Sequence, residues 1–165
     1  AGRSVAVVGP SGVGKTTLAA TVLGLIPPVS GEVVTAGRIG YLAQDAHIFT
    51  TSVAENVKIG NKDASAAQVV DALARAGLPV DPELAVGELG STLSGGEARR
   101  LAASRLFVGD YATIILDEPS EHLDPETAAA LLDDLWTSTA GCPTLVITHD
   151  PGVVARCDRV VRLGR

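Results

Sequence analysis

The sequence predicts an α/β fold, a mainly parallel sheet flanked by helices, and three observations lead there. Short apolar runs of strand length alternate with helix-compatible stretches along the 165 residues. The first run, Ser4–Val8, leads directly into Gly9-Pro10-Ser11-Gly12-Val13-Gly14-Lys15-Thr16-Thr17, a glycine loop of the form G-x-x-x-x-G-K-[ST] that opens a helix. Hydrophobic residues are 46% of the chain but aromatics only 3%, so the core is built from Val, Leu, Ile and Ala, as buried parallel strands require.

In order, strands are expected at Ser4–Val8, Arg38–Ala43, Thr113–Leu116, Thr144–Thr148 and Arg159–Leu163, four of them with apolar runs of the buried kind. The first helix runs from about Lys15 to Leu25, stopped by Pro27-Pro28. A second, near Ser65–Ala76, sets Ala66, Val69, Val70 and Leu73 on one face, with Gly77 as its stop. A third follows Ser94 to about Val108. A fourth follows Asp124 as N-cap, with Pro125 at the first helical position, and continues to about Ser138. Asp150-Pro151 starts a short last helix. No strong strand lies between about Asn56 and Gly90, so residues 56–108 are expected to form a helical subdomain inserted into the sheet domain.

The bulk numbers exclude several classes. A chain of 165 residues is one domain's worth and buries roughly 70% of its unfolded surface. With 19% charged residues it is a packed domain, not a disordered one. A net charge of −6 argues against nucleic acid or anionic lipid as the main partner. Cys142 and Cys157 show neither metal-ligand spacing nor a disulfide framework, so both read as reduced structural thiols. No apolar run approaches the ~18 residues needed to span a bilayer.

The glycine loop fixes the ligand class as a nucleoside triphosphate with magnesium. Gly9, Gly12 and Gly14 let the backbone turn its N–H groups inward, and the helix that follows offers its unpaired amides to phosphate. Lys15 reaches the β- and γ-phosphates, and the Thr16 hydroxyl can ligate Mg²⁺. Gln44 ends an apolar strand, where glutamine is ordinarily a polar surface residue; downstream of a phosphate loop it can reach the metal or the attacking water. Leu93-Ser94-Gly95-Gly96-Glu97 opens the third helix and makes a second anion site without a lysine. Asp117 and Glu118 are adjacent acids ending a buried strand, and they repel unless a cation offsets them. Asp117 suits the magnesium shell, and Glu118 suits accepting a proton from water that attacks the γ-phosphate. His149 ends the next strand, on the same rim as Glu118 if the sheet is parallel.

Together these motifs resemble the nucleotide-binding domain of ABC transporters over nearly the whole chain: Walker A (Gly9–Thr17), Q-loop (Gln44), signature (Leu93–Glu97), Walker B (Ile114–Glu118), D-loop (Ser120–Asp124) and switch histidine (His149). The resemblance implies the ABC ATPase fold, a P-loop NTPase with ATP and Mg²⁺ as ligands. It also implies a second ABC domain as partner, heterodimeric or homodimeric, each ATP lying between one chain's phosphate loop and the other's signature helix. By it, Lys15, Glu118 and His149 act in hydrolysis, and Thr16, Gln44 and Asp117 organise the metal. Val86-Gly-Glu-Leu-Gly90 looks like the exporter x-loop that contacts membrane-domain coupling helices. Asp45-Ala-His-Ile-Phe49 and Asp117-Glu-Pro-Ser-Glu-His-Leu-Asp124 look most like the CydC-type subunit of a heterodimeric thiol exporter of glutathione or cysteine. That resemblance places the domain on the cytoplasmic face of the plasma membrane. It leads us to expect an excised part of a longer chain whose upstream segment carries the membrane domain and the adenine-stacking aromatic. Glu97 stands where glutamine is commoner in the signature, and Glu121-His122 where the D-loop usually has small residues. Two other readings compete: a soluble ABC ATPase acting on nucleic acid or ribosomes, disfavoured by charge, and a non-hydrolysing nucleotide-binding module, disfavoured by Glu118.

Overall fold

The computed structural model describes residues 3–87 and 92–164. In chain order these carry β1 (Ser4–Val8), α1 (Lys15–Val22), β2 (Ile39–Leu42), α2 (Val53–Lys58), α3 (Ala66–Arg75), α4 (Gly95–Val108), β3 (Thr113–Asp117), α5 (Pro125–Ser138), β4 (Thr144–Ile147), α6 (Pro151–Val154) and β5 (Arg159–Arg162). The strands form one sheet of order β2-β3-β4-β1-β5. The β1–β4, β1–β5 and β3–β4 pairings are parallel, with Val7 opposite Ile147, Val7 opposite Val161 and Asp117 opposite Ile147. Because these strands share a direction, the chain leaves β1, β3 and β4 at the same edge of the sheet. That edge is where open α/β sheets hold ligands.

The chain divides into two compact units: Ala1–Tyr41 with Tyr111–Pro119 and Thr139–Arg165, and Leu42–Asp110 with Ser120–Ser138. In the first, Val7, Ala19, Ile115 and Ile147 are fully buried, and Leu18, Val22, Ile39, Leu145 and Leu163 pack against them. Each fully buried Val or Ile contributes about 1.5–3 kcal/mol by leaving water, which is why the strands need no aromatics. α1 ends at Val22, short of the expected Leu25. The stop is Gly24 in the left-handed region (φ 76°), not the prolines, and the amides of Leu25 and Ile26 fold back onto the Ala20 carbonyl. β5 is an edge strand with all four residues exposed.

In the second unit, α2 was not anticipated, although Ser52-Val-Ala-Glu55 has a capping pattern: the Ser52 hydroxyl accepts the Glu55 N–H at 3.2 Å. α3 carries a capping box between Ser65 and Gln68. Its buried face is Val69, Ala72, Leu73 and Ala76, whereas Val70 is 55% exposed and Ala66 faces water. The expected face was therefore rotated by about one residue. The i, i+3, i+4, i+7 series starts at Val69 and continues through Ala76. Gly77 stops α3 at φ 64° as anticipated. α4 packs against α2 and α3. The approach is so close at Gly60 that a Cβ there would collide with the Arg105 carbonyl. Asn56, fully buried, is completely satisfied: Nδ2 donates to the carbonyls of Phe49 (3.0 Å) and Ser52 (3.1 Å), while Oδ1 accepts the Phe49 N–H (3.0 Å) and Arg105 Nη2 (2.9 Å). In α5, Asp124 caps through the Thr127 N–H (3.0 Å), and Leu131, Leu132 and Leu135 face inward.

Candidate functional site

The glycine loop lies between the end of β1 and the first turn of α1. Gly9 is there for packing, since a Cβ would sit 2.6 Å from the Leu163 carbonyl oxygen. Gly12 (φ 76°) and Gly14 (φ 103°) are there for conformation, and a Cβ on either would meet nothing within 4 Å. Gly14 is also the N-cap of α1, which has no side-chain cap, so the helix amides stay available to an anion. Lys15 Nζ is held by the Gly9 (2.8 Å) and Pro10 (3.1 Å) carbonyls, which anchors the ammonium over the loop. Pro10, Ser11, Thr16 and Thr17 are exposed, and Val13 is half-buried.

At the ends of the neighbouring strands, Asp117 closes β3 with 2% exposure and receives a long hydrogen bond from the Tyr41 hydroxyl at 3.4 Å. Glu118 follows in the left-handed region at φ 48°, a conformation that costs a non-glycine residue about 1–3 kcal/mol and gathers at functional sites. Its own N–H is tied to the Ile147 carbonyl at 2.8 Å. The carboxylate is held by β4's extension: Oε1 lies 2.8 Å from His149 Nδ1, and Oε2 accepts the Thr148 hydroxyl at 3.2 Å and the His149 N–H at 3.4 Å. A ring hydrogen on Nδ1 is donated to this carboxylate, and in the neutral ring the other nitrogen can then accept. The imidazole is 76% exposed and the carboxylate 9% exposed, so one group faces solvent and the other is sheltered.

The remaining predicted residues belong to the second unit. Gln44 is exposed just beyond β2. Ser94 is the N-cap of α4 in a capping box with Glu97. The Glu97 carboxylate accepts both the Ser94 N–H and the Ser94 Oγ–H at 2.7 Å, and these bonds to Ser94 hold its pKa below the usual glutamate value. The Ser94 donors of this second anion site are thus engaged by the chain's own carboxylate. Gly95 has open space around it. In the D-loop, His122 takes the left-handed φ of 63°. Of the x-loop segment, Glu88, Leu89 and Gly90 lie outside the described residues, while Val86 is buried.

Three contributing residues were not singled out from sequence. Tyr41 bonds Asp117, Thr148 bonds Glu118, and Arg99 donates to the backbone of Ala43 and Gln44. Thr148 had a weak signal, as a polar residue completing an apolar strand run; the other two are long-range contacts without one.

Among the described residues no group of three or more His, Cys, Asp or Glu is placed to hold a metal. Mg²⁺ takes one or two carboxylates and completes its shell with phosphate and water. Asp117 and the Thr16 hydroxyl are donors of the right hard-oxygen kind. A phosphate cradle, a buried carboxylate and an oriented second carboxylate together can bind a nucleoside triphosphate and draw a proton from water beside it.

The ABC transporter family model matches residues 1–121. The lipoprotein-releasing system ATP-binding protein LolD of Chromohalobacter salexigens is 37% identical, over 99% of this chain and 78% of its own length. The glutathione/L-cysteine transport system ATP-binding/permease protein CydD of Bacillus subtilis is 33% identical, over 98% of this chain and 32% of its own. The structure of a bacterial Atm1-family ABC exporter with ATP bound superposes with a TM-score of 0.89 at 28% identity, covering 99% of this chain and 32% of that one. The chain thus spans most of one relative and about a third of the other two.

Proposed function

This chain belongs to the ABC transporter family, and from that membership we propose that it is the ATP-binding and ATP-hydrolysing module of an exporter. It works on the cytoplasmic face of a membrane, against a second ABC domain and the coupling helices of a membrane domain. The observation that carries the reading is the held carboxylate of Glu118, fixed by His149 and Thr148 on the rim that also carries the glycine loop. A carboxylate this oriented is a general base for water.

In this reading the amides of Gly9–Thr17 and the Lys15 ammonium cradle the phosphates. Thr16, Asp117 and Gln44 hold Mg²⁺, which when bound neutralises charge on the phosphate oxygens. Glu118 takes the proton of the attacking water, and His149 keeps the carboxylate in place and contacts the γ-phosphate. Ser94, Gly95 and Gly96 complete the site of the partner domain, with Glu97 beside them. Support for that comes from Gly95: among the described residues nothing lies within 4 Å of where a Cβ would stand, which leaves the first-turn backbone open to an approaching phosphate. Residues 1–165 belong to the ABC domain, and residues 56–108 to its helical subdomain.

The transported substrate we propose is a thiol, glutathione or cysteine, with this chain as the CydC-type half of a heterodimer. Asp45–Phe49 and Asp117–Asp124 support it. Overall identity is no guide here, because LolD, whose name concerns lipoproteins, is at 37%.

Calorimetric titration of this chain with Mg·ATP, followed by phosphate release, tests the function. Micromolar binding with turnover is the expected result. A folded chain that neither binds nor hydrolyses ATP overturns it.

A further inference from the structure

Two arginines of α4 point inward rather than to water. Arg105 holds the Asn56 and His47 carbonyls (3.1 and 2.8 Å), stitching α2 and the 47–49 segment to the helix. Arg99, in the turn after the Ser94 cap, is only 5% exposed, and its Nη1 donates to two successive carbonyls, those of Ala43 and Gln44, the latter at 2.8 Å.

A guanidinium at that depth is costly unless hydrogen-bonded, and a hydrocarbon of similar volume would often serve packing as well. What arginine adds is rigidity: the two N–H groups of Nη1 lie fixed in the guanidinium plane and diverge toward the two carbonyls. Fixing the carbonyls on both sides of the Gln44 α-carbon fixes the direction in which its side chain leaves the backbone.

We propose that Arg99 is the positioning residue of Gln44, joining the Gln44 backbone and the Ser94-bearing turn of α4 into one mechanical piece. This rests on the reading of Gln44 as a magnesium- or water-binding group and of Ser94 as a phosphate-binding group. A displacement of Gln44 on metal binding is then a displacement of the signature turn, transmitted by one side chain inside a single unit.

The test uses this chain in three forms: wild type, Arg99→Leu, which keeps bulk and removes the donors, and Arg99→Lys, which keeps charge and one direction of donation. Without nucleotide, backbone ¹⁵N order parameters at Ala43–Asp45 should fall from the rigid range of about 0.85 to below about 0.6 in Arg99→Leu, with the interior of α4 unchanged. Arg99→Lys should recover part of the loss. The ratio of ATP affinity with Mg²⁺ to that with EDTA should drop about three- to tenfold in Arg99→Leu while the EDTA value stays put, and Arg99→Lys should fall between. Unchanged order parameters and an unchanged magnesium ratio overturn the proposal. So does a uniform loosening of α2, α3 and α4, which is what a purely structural arginine would give. If Arg99→Leu does not fold, Arg99→Lys decides: local loosening at Ala43–Asp45 supports the proposal, and none overturns it. If the wild type binds no ATP, the functional reading fails, and the relaxation measurement still decides the role of Arg99.

Discussion

Glu118 Oε1 and His149 Nδ1 meet at 2.8 Å although 31 residues separate them, because β3 and β4 are parallel neighbours and both end at the same rim. The carboxylate is thereby aimed by the fold and not by its own rotamer. Glu118→Gln should keep Mg·ATP binding within a few-fold and lose turnover by about 10²–10⁴-fold, the usual worth of a positioned base. Parallel calorimetry and phosphate release check it, and undiminished turnover would remove Glu118 from the role. His149→Ala leaves the carboxylate in place but unheld on one oxygen, so kcat should fall more than KM changes.

Gly9→Ala tests the seat of the loop. Its Cβ would press to 2.6 Å on the Leu163 carbonyl, a backbone atom that cannot swing aside. Overpacking of this kind costs about 1–3 kcal/mol, so the urea midpoint should fall and ATP affinity should fall with it. Gly12→Ala, where a Cβ meets nothing within 4 Å but φ is 76°, should cost less stability, by strain alone.

Much of this was legible in the sequence, and the division is physical. The glycine loop, the Asp117–Glu118 pair and the pattern of five strands are local or periodic, and each can be read from a window of a few residues. The left-handed φ of Glu118 was not, because a glutamate gives no hint of it; the pull of the Ile147 carbonyl on its N–H comes from another strand. The tie from Arg99 to Gln44 spans 55 residues, and an arginine on a helix reads by default as a solvated face. α2 is only six residues long, too short for a hydrophobic period to declare itself. The rotated face of α3 shows the same limit, since Val69 and Val70 are equivalent by composition and only tertiary packing separates them.

Asn56→Ala addresses the second unit. Removing the amide takes the partner from the Phe49 N–H and carbonyl in a part-buried setting, and takes one acceptor from Arg105. Buried groups left unsatisfied cost about 1–3 kcal/mol each, so a loss of at least about 2 kcal/mol is expected by chemical denaturation. Asn56→Asp keeps the acceptor for the Phe49 N–H and Arg105 but turns a carboxylate oxygen to the Phe49 and Ser52 carbonyls, so it should also destabilise at neutral pH.

Glu97 supplies the last prediction, with a sign that can be worked out. Its carboxylate accepts the Ser94 N–H and Oγ–H, and its pKa in the folded chain lies below the ordinary 4.5. A depressed carboxylate contributes stability that is present in full above its unfolded value and fades as pH falls through the folded one. The cap of α4 should therefore hold at neutral pH and weaken only in acid below about pH 4.5, and Glu97→Gln should flatten that part of the stability-versus-pH curve. Glutamine still caps at this position, so the variant should fold. It also removes a negative charge from the donors that, in the proposed function, an ATP phosphate held by the partner domain must reach. Like charges about 4 Å apart cost about 1 kcal/mol where water sets the dielectric. ATP-driven self-association of Glu118→Gln should thus tighten by roughly three- to tenfold when Glu97→Gln is added, as read by sedimentation. Weaker association in the double variant would mean that the Glu97 carboxylate assists the partner's site instead of competing with its phosphate.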